Sequence, residues 1–143
     1  MASARRSGKL PPRYSFALNP YQEARFTRCP LCEQTTRLRK FVLFVYIERF
    51  APMALGKACR FRTRCELIIV HQDELEHELV IALETRDPGV IGNEYAVLGT
   101  VDGKPWRKAL EEGHPPVEDA FDHVADFEKE YDLHYEPGGW ERA

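Results

Sequence analysis

Apolar positions along this chain follow two different periods. From Arg37 the stretch "RLRKFVLFVYIERF" alternates for its first few positions and then becomes continuously apolar, β-branched or aromatic from Phe41 to Ile47. That length and composition predict a strand buried on both faces rather than a helix. "ELIIVH", Glu66 to His71, predicts a second strand, and "EYAVLGTVDGKPW", from Glu94, a third that ends in an Asp102-Gly103 turn. Between the first two, "APMALGKACRFRTRC" carries Pro52 and Gly56 and is expected to be a turn region.

Helical spacing takes over after His71. Leu75, Leu79 and Leu83, with Val80 and Ala82 nearby, predict an amphipathic helix across "DELEHELVIALETR", with Asp73 as N-cap and Asp87-Pro88-Gly89 as its stop. Trp106 to Leu110 is expected to form a short helix. Further on, "PPVEDAFDHVADFEKEYD" places Val117, Ala120, Phe121, Val124 and Phe127 on one stripe and most acidic residues opposite, which predicts a second amphipathic helix. "LHYEPGGW" closes the chain as a short strand or loop. The fold class that follows is α+β.

The chain has 143 residues, enough for one domain with a moderate core, and a net charge of -3 that conceals a division. Residues 1–65 hold fourteen Lys or Arg against three Glu, a net of +11, whereas residues 66–143 carry a net of -14. Such asymmetry predicts a face for polyanions, a charge-matched packing of one half on the other, or both. Residues 1–24 read as a basic arm that becomes able to dock at "YSFALNPY", residues 25–72 as a β unit, and residues 73–143 as an acidic α/β half packed on it. No apolar run approaches the roughly 20 residues of a membrane span. The basic N-terminal residues lack the following apolar stretch of a secretory signal, so a cytoplasmic protein is expected, with no membrane partner.

Candidate chemistry centres on four cysteines. Cys29-Pro30-Leu31-Cys32 has the form of half a zinc site, because a C-x-x-C turn brings two sulfurs together while backbone amides hydrogen-bond the thiolates. Its complement is "CRFRTRC", Cys59 to Cys65, where a second C-x-x-C would need cysteine at Arg62. Three resolutions stay open at this point: a looped pair that closes the site through Cys29, Cys32, Cys59 and Cys65, recruitment of His71, or a degenerate site. His71 is the least suited, since six residues of strand carry it about 20 Å from Cys65.

The order knuckle, apolar strand, return loop, knuckle, strand is that of a zinc ribbon. The layout "FTRCPLC", apolar strand, "CRFRTRCELIIVHQDELE" resembles bacterial zinc-ribbon proteins over residues 14–80, departing from them at Arg62. The resemblance implies a zinc-ribbon-like fold for the β unit and a zinc-dependent interaction module, and no particular reaction.

Other motifs weigh less. Glu74-x-x-His77 has the spacing of half a carboxylate di-metal site, but that site needs a bundle of helices this chain is too short to build; a solvated helix start with local charge pairs explains it. Arg60, Arg62 and Arg64 alternate around Phe61, so on an extended segment they share a face, and with Arg37, Arg39 and Lys40 they are the candidate nucleic-acid contacts, with Phe61, Phe26 or Tyr21 to stack a base. The competing reading pairs these arginines with the acidic half of the same molecule. No phosphate-binding glycine loop is present. The expected function is a non-enzymatic zinc-binding adaptor that meets nucleic acid or a nucleoprotein complex. The alternatives are a protein-interaction module with a degenerate metal site, which includes self-association, and, third, a thiol-based enzyme built on Cys29.

Overall fold

The computed structural model describes residues 8–50, 52–101 and 124–133. Its strands are β1 (Ser15–Asn19), β2 (Arg37–Ile47), β3 (Pro52–Arg62), β4 (Leu67–His71), β5 (Tyr95–Val101), β6 (Val124–Asp126) and β7 (Lys129–Tyr131), with one helix, α1 (Gln72–Glu84), and a 3-10 turn at Pro88–Val90. The strands form one seven-stranded sheet in the order β6-β5-β2-β3-β4-β1-β7. The fold is therefore mostly β with a single described helix, which corrects the expectation of an α+β protein with two amphipathic helices.

β3 accounts for part of the difference. The region expected to be a turn is an eleven-residue strand, antiparallel to β2 from Arg37 opposite Phe61 to Tyr46 opposite Pro52. Its alternation is hidden because the residues on one side, Ala54, Gly56 and Ala58, are small, whereas Met53, Cys59 and Phe61 on the other are buried. Pro52 stands at the first position of the strand, where its missing N–H is tolerated.

The segment 124–131 accounts for the rest. Val124 and Phe127, placed by periodicity on a helical stripe, belong to a kinked extended segment that pairs with β5 through β6 and with β1 through β7. The amide of Phe127 donates to Leu98 O at 3.1 Å and that of Glu128 to Tyr14 O at 2.8 Å, so the two residues between β6 and β7 are themselves bonded to both edges. One short segment thus spans both edges of the sheet, which curls into a half-barrel. Ladder hydrogen bonds on two sides outweigh a local helical pattern. The close approach depends on Gly99, where a Cβ would stand 2.1 Å from Ala125 O. The expected Asp102-Gly103 turn, the Trp106–Leu110 helix and Val117 to Phe121 lie outside the described residues.

The main core lies between the sheet and α1. Leu75, Leu79 and Leu83 of the helix pack with Phe41, Leu43, Val45 and Ile47 of β2 and with Ile68 and Val70 of β4. Tyr14, Phe41 and Phe61 meet edge to face with centroids 5.1 to 5.7 Å apart. The helix begins two residues earlier than expected: His71, not Asp73, is the N-cap, its Nδ1 accepting from the Glu74 amide at 3.4 Å. Two smaller clusters lie elsewhere. One joins Phe44, Val101 and Val124; the other joins Ala17, Cys29, Leu67, Ile69 and Leu133, with Cys32 and Cys65 packed against it. No described helix is long and apolar enough to cross a membrane.

Candidate metal centre and basic groove

Residues 26–36 form a tight finger beside the sheet. Arg28 bridges Thr35, the Thr36 amide donates to Thr27 O at 2.8 Å, and the Thr36 hydroxyl donates to Phe26 O at 2.8 Å. At the tip the Glu33 amide donates to Cys29 O at 2.7 Å and the Cys29 amide to Gln34 O at 2.8 Å. Glu33 takes a left-handed conformation, φ 61°, to close that turn. The turn after β3 ends in the same way: Glu66, directly after Cys65, has φ 50°. Both cysteine-bearing turns thus finish on a glutamate in a conformation that L-residues adopt at some cost.

These turns bring Cys29, Cys32 and Cys65 together, with their sulfurs all within 4.8 Å of one another. Cys29 and Cys65 are 3.9 Å apart, sulfur to sulfur. Thiolates about 2.3 Å from a tetrahedral zinc ion stand about 3.8 Å from each other, which the Cys29–Cys65 separation matches, and the group as a whole is close enough to hold a metal ion. Backbone amides already point at the sulfurs: Leu31 N lies 3.4 Å from Cys29 Sγ, and the Gln34 amide bonds Cys32.

Charge at the cluster is uneven. The Gln34 amide is the main cause, followed by Arg62 and the neighbouring thiols, that brings the Cys32 thiol down to about 7, against the resistance of desolvation. Arg62 approaches closely, its Nε 3.2 Å from Cys32 Sγ. Cys65 moves the other way, raised to about 11 by burial and by the adjacent Cys32 and Cys29.

Cys59 does not join the group. As β3 runs straight through to Arg62, alternation sends Cys59 and Phe61 into the main core and Arg60 and Arg62 to the other side. Cys59 is 2% exposed, its sulfur hydrogen-bonds Lys57 O at 3.3 Å, and burial pushes its thiol up to about 12. His71 is engaged at the helix start and with Gln22 O at 3.2 Å. Among the described residues, then, three cysteines and no further Cys, His, Asp or Glu form the cluster.

The six basic candidates are dispersed rather than aligned. The extended segment ends at Arg62, so Arg60 and Arg62 share a side of β3 but Arg64 lies exposed in the turn that carries Cys65. Arg60 lines a cleft of about 390 Å³ with Arg25, Lys57 and Glu74, where β3 and β4 part. Arg37 and Lys40 are exposed on β2, and Arg39 lies over the rings of Phe41 and Phe61 at 4.7 and 5.1 Å. Phe61 is 2% exposed and cannot stack a base. A residue that spacing alone did not single out completes the picture: Arg13, over the Tyr14 ring at 4.4 Å, lines with Arg39 and Lys40 a groove of about 970 Å³. Its signal in the sequence was the Arg-aromatic step at Arg13-Tyr14. None of Arg37, Arg39, Lys40, Arg60 or Arg64 is ion-paired with an acidic residue among the described residues.

The Glu74–His77 stretch forms local contacts. Glu74 pairs with Arg25 at 2.8 Å and Lys57 at 2.9 Å, and Glu76 accepts from Gln72 at 2.9 Å and from the Tyr95 hydroxyl at 2.7 Å. Comparison with protein families, with curated proteins and with solved structures finds no match to this chain.

Proposed function

We propose that the protein is a non-enzymatic binding module in which a zinc ion on Cys29, Cys32 and Cys65 braces the finger against the sheet, and that the groove lined by Arg13, Arg39 and Lys40 takes single-stranded nucleic acid. The observation that carries the binding reading is the convergence of these three cations on one groove, two of them held over aromatic rings. A guanidinium held in place on a ring loses little freedom when a phosphate meets it. Arg13 forms an ion pair with Glu66 at 3.9 Å, and both side chains are well exposed, so that pair yields readily to a phosphate. Tyr14 and Phe41 are buried, so contact runs through the phosphate backbone and sequence preference is slight.

The test is a salt titration of the full chain against a mixed-sequence single-stranded oligonucleotide, beside a variant with Arg13, Arg39 and Lys40 changed to alanine. Each phosphate neutralised on a single strand contributes about 0.7 to the log–log salt slope, so three contacts give a slope of about -2. Binding that is absent at low salt, or indifferent to the triple change, rejects the nucleic-acid reading in favour of a protein partner or a second copy of the chain.

A further inference from the structure

The thiol triangle has a fourth corner. Tetrahedral zinc needs four donors, and structural sites supply all of them from the chain, whereas sites that act on ligands keep one position open. Among the described residues the triangle stands alone: Cys59 is sealed in the main core, and no His, Asp or Glu lies near enough to join. Cys29 is 1% exposed, but Cys32 and Cys65 are only half-buried, so the cluster reaches solvent on their side.

What stands at the cluster instead of a fourth donor is Arg62, 3.2 Å from Cys32 Sγ. A guanidinium has no lone pair to give a metal. It does supply charge: a zinc ion with three thiolates carries a net of -1, and Arg62 cancels it. Arg28 and Arg64, both exposed, each adjoin a cysteine of the cluster in sequence. The acidic neighbours are Glu33, which is exposed, and Glu66, which faces Arg13 at 3.9 Å. With Arg62 assigned to the zinc and its thiolates and Glu66 to Arg13, Arg28 and Arg64 outweigh Glu33 by one charge, and an anionic donor is favoured there over a neutral one. Sulfur is the donor that matches the softness of the three already present.

We propose, on the zinc reading above, that Cys29, Cys32 and Cys65 hold the ion with one corner open beside Arg62, and that this corner takes a thiolate from outside the chain. The source is a free thiol or a cysteine side chain of another protein. Binding is a ligand addition without redox change: the incoming S–H bond breaks, its proton goes to solvent, and the sulfur lone pair forms the new bond.

The test uses the full chain loaded with cobalt(II), whose visible absorption reports the number and type of donors. 2-Mercaptoethanol, a short cysteine-containing peptide and ethylene glycol are titrated separately. The expected result is that both thiols, and not the alcohol, raise the sulfur-to-cobalt charge-transfer band by about a third, the ratio of four thiolates to three. Tighter binding by the peptide than by the free thiol assigns the corner to a protein cysteine, and equal binding to a free thiol. Arg62→Ala weakens the response several-fold, and Arg62→Cys abolishes it because the shell closes from within. A cobalt spectrum indifferent to thiol overturns the proposal and leaves the metal site standing. A response that appears only in His134→Ala, the residue following Leu133 in sequence, also overturns it. Failure of the parent chain to bind cobalt or zinc at all rejects the zinc reading itself.

Discussion

The guanidinium of Arg62 lies against Cys32, its Nε 3.2 Å from the sulfur. Arg62 is also the position at which a second C-x-x-C motif would carry cysteine. The β3 strand ends there, on the side facing the finger, so a side chain at this residue is aimed at the thiols by the sheet itself. The departure from a four-cysteine pattern is therefore confined to one residue, the one whose side chain reaches the cluster.

Arg62→Cys is accordingly expected to tighten zinc binding at least tenfold, measured by competition with a chromophoric chelator. A fourth thiolate replaces a cation that repels the incoming ion, and both changes favour the metal. Unchanged affinity would show that residue 62 does not reach the open corner.

Cys29→Ser and Cys59→Ser are expected to separate cleanly. Cys29 is in the cluster, and its loss should abolish the zinc content of the purified protein, close to one ion per chain in the parent. It should also speed amide exchange over residues 26–36, because structural zinc contributes about 10 kcal/mol or more to the elements it joins. Cys59→Ser should retain zinc and lose about 1 kcal/mol from core packing alone. Loss of zinc in the Cys59 variant would return that residue to the ligand set.

How far the sequence revealed this molecule follows from which signals were local. β2, β4 and α1 each carry their own periodicity, and all three form where periodicity places them. β3 was obscured because Ala54, Gly56 and Ala58 make its outer side look like a turn, and pairing with β2 along its whole length is what settles it. That hidden strand then misplaced Cys59, since a loop leaves the direction of a side chain free while a strand fixes it. Cys29 and Cys32 were legible from spacing, whereas Cys65 was read only together with Cys59, and the fold is what separates the two. The basic groove was not, because Arg13 lies 26 residues before Arg39 in sequence and only the curl of the sheet joins them.

Gly99→Ala is expected to destabilise the protein by about 2 to 3 kcal/mol, as overpacking against backbone does. The added Cβ would meet Ala125 O at 2.1 Å and Asp126 Cα at 2.8 Å, both main-chain atoms that can yield only if β6 moves off β5. Because the same segment continues into β7, loosening it should also expose β1. Urea unfolding gives the stability change, and amide exchange at Ser15–Asn19 the propagation. A variant as stable as the parent would mean that β6 does not close on β5.

Glu74 carries the clearest pH dependence. Its carboxyl is held below its ordinary value of 4.5, chiefly by the hydrogen bond from Lys57 and then by Arg25, with His71 acting in the same direction and burial opposing. Because the folded value lies below the unfolded one, the contribution is fully present above about pH 4.5 and is lost as pH falls through the lowered value. Lys57 is 10% exposed and Glu74 48%; the lysine donates to this carboxylate and to Ala58 O, while water screens the acid's side of the pair. Allowing for that screening, Glu74→Gln should cost about 1 kcal/mol at pH 7. The gap between parent and variant should narrow on acidification and close once pH has fallen below the lowered value. Lys57→Met supplies the control, since it removes the main partner and should flatten the acid limb as well. Parallel stability curves for the parent and Glu74→Gln from pH 7 to 3 would show that the Lys57–Glu74 pair adds nothing to the join between β3 and α1.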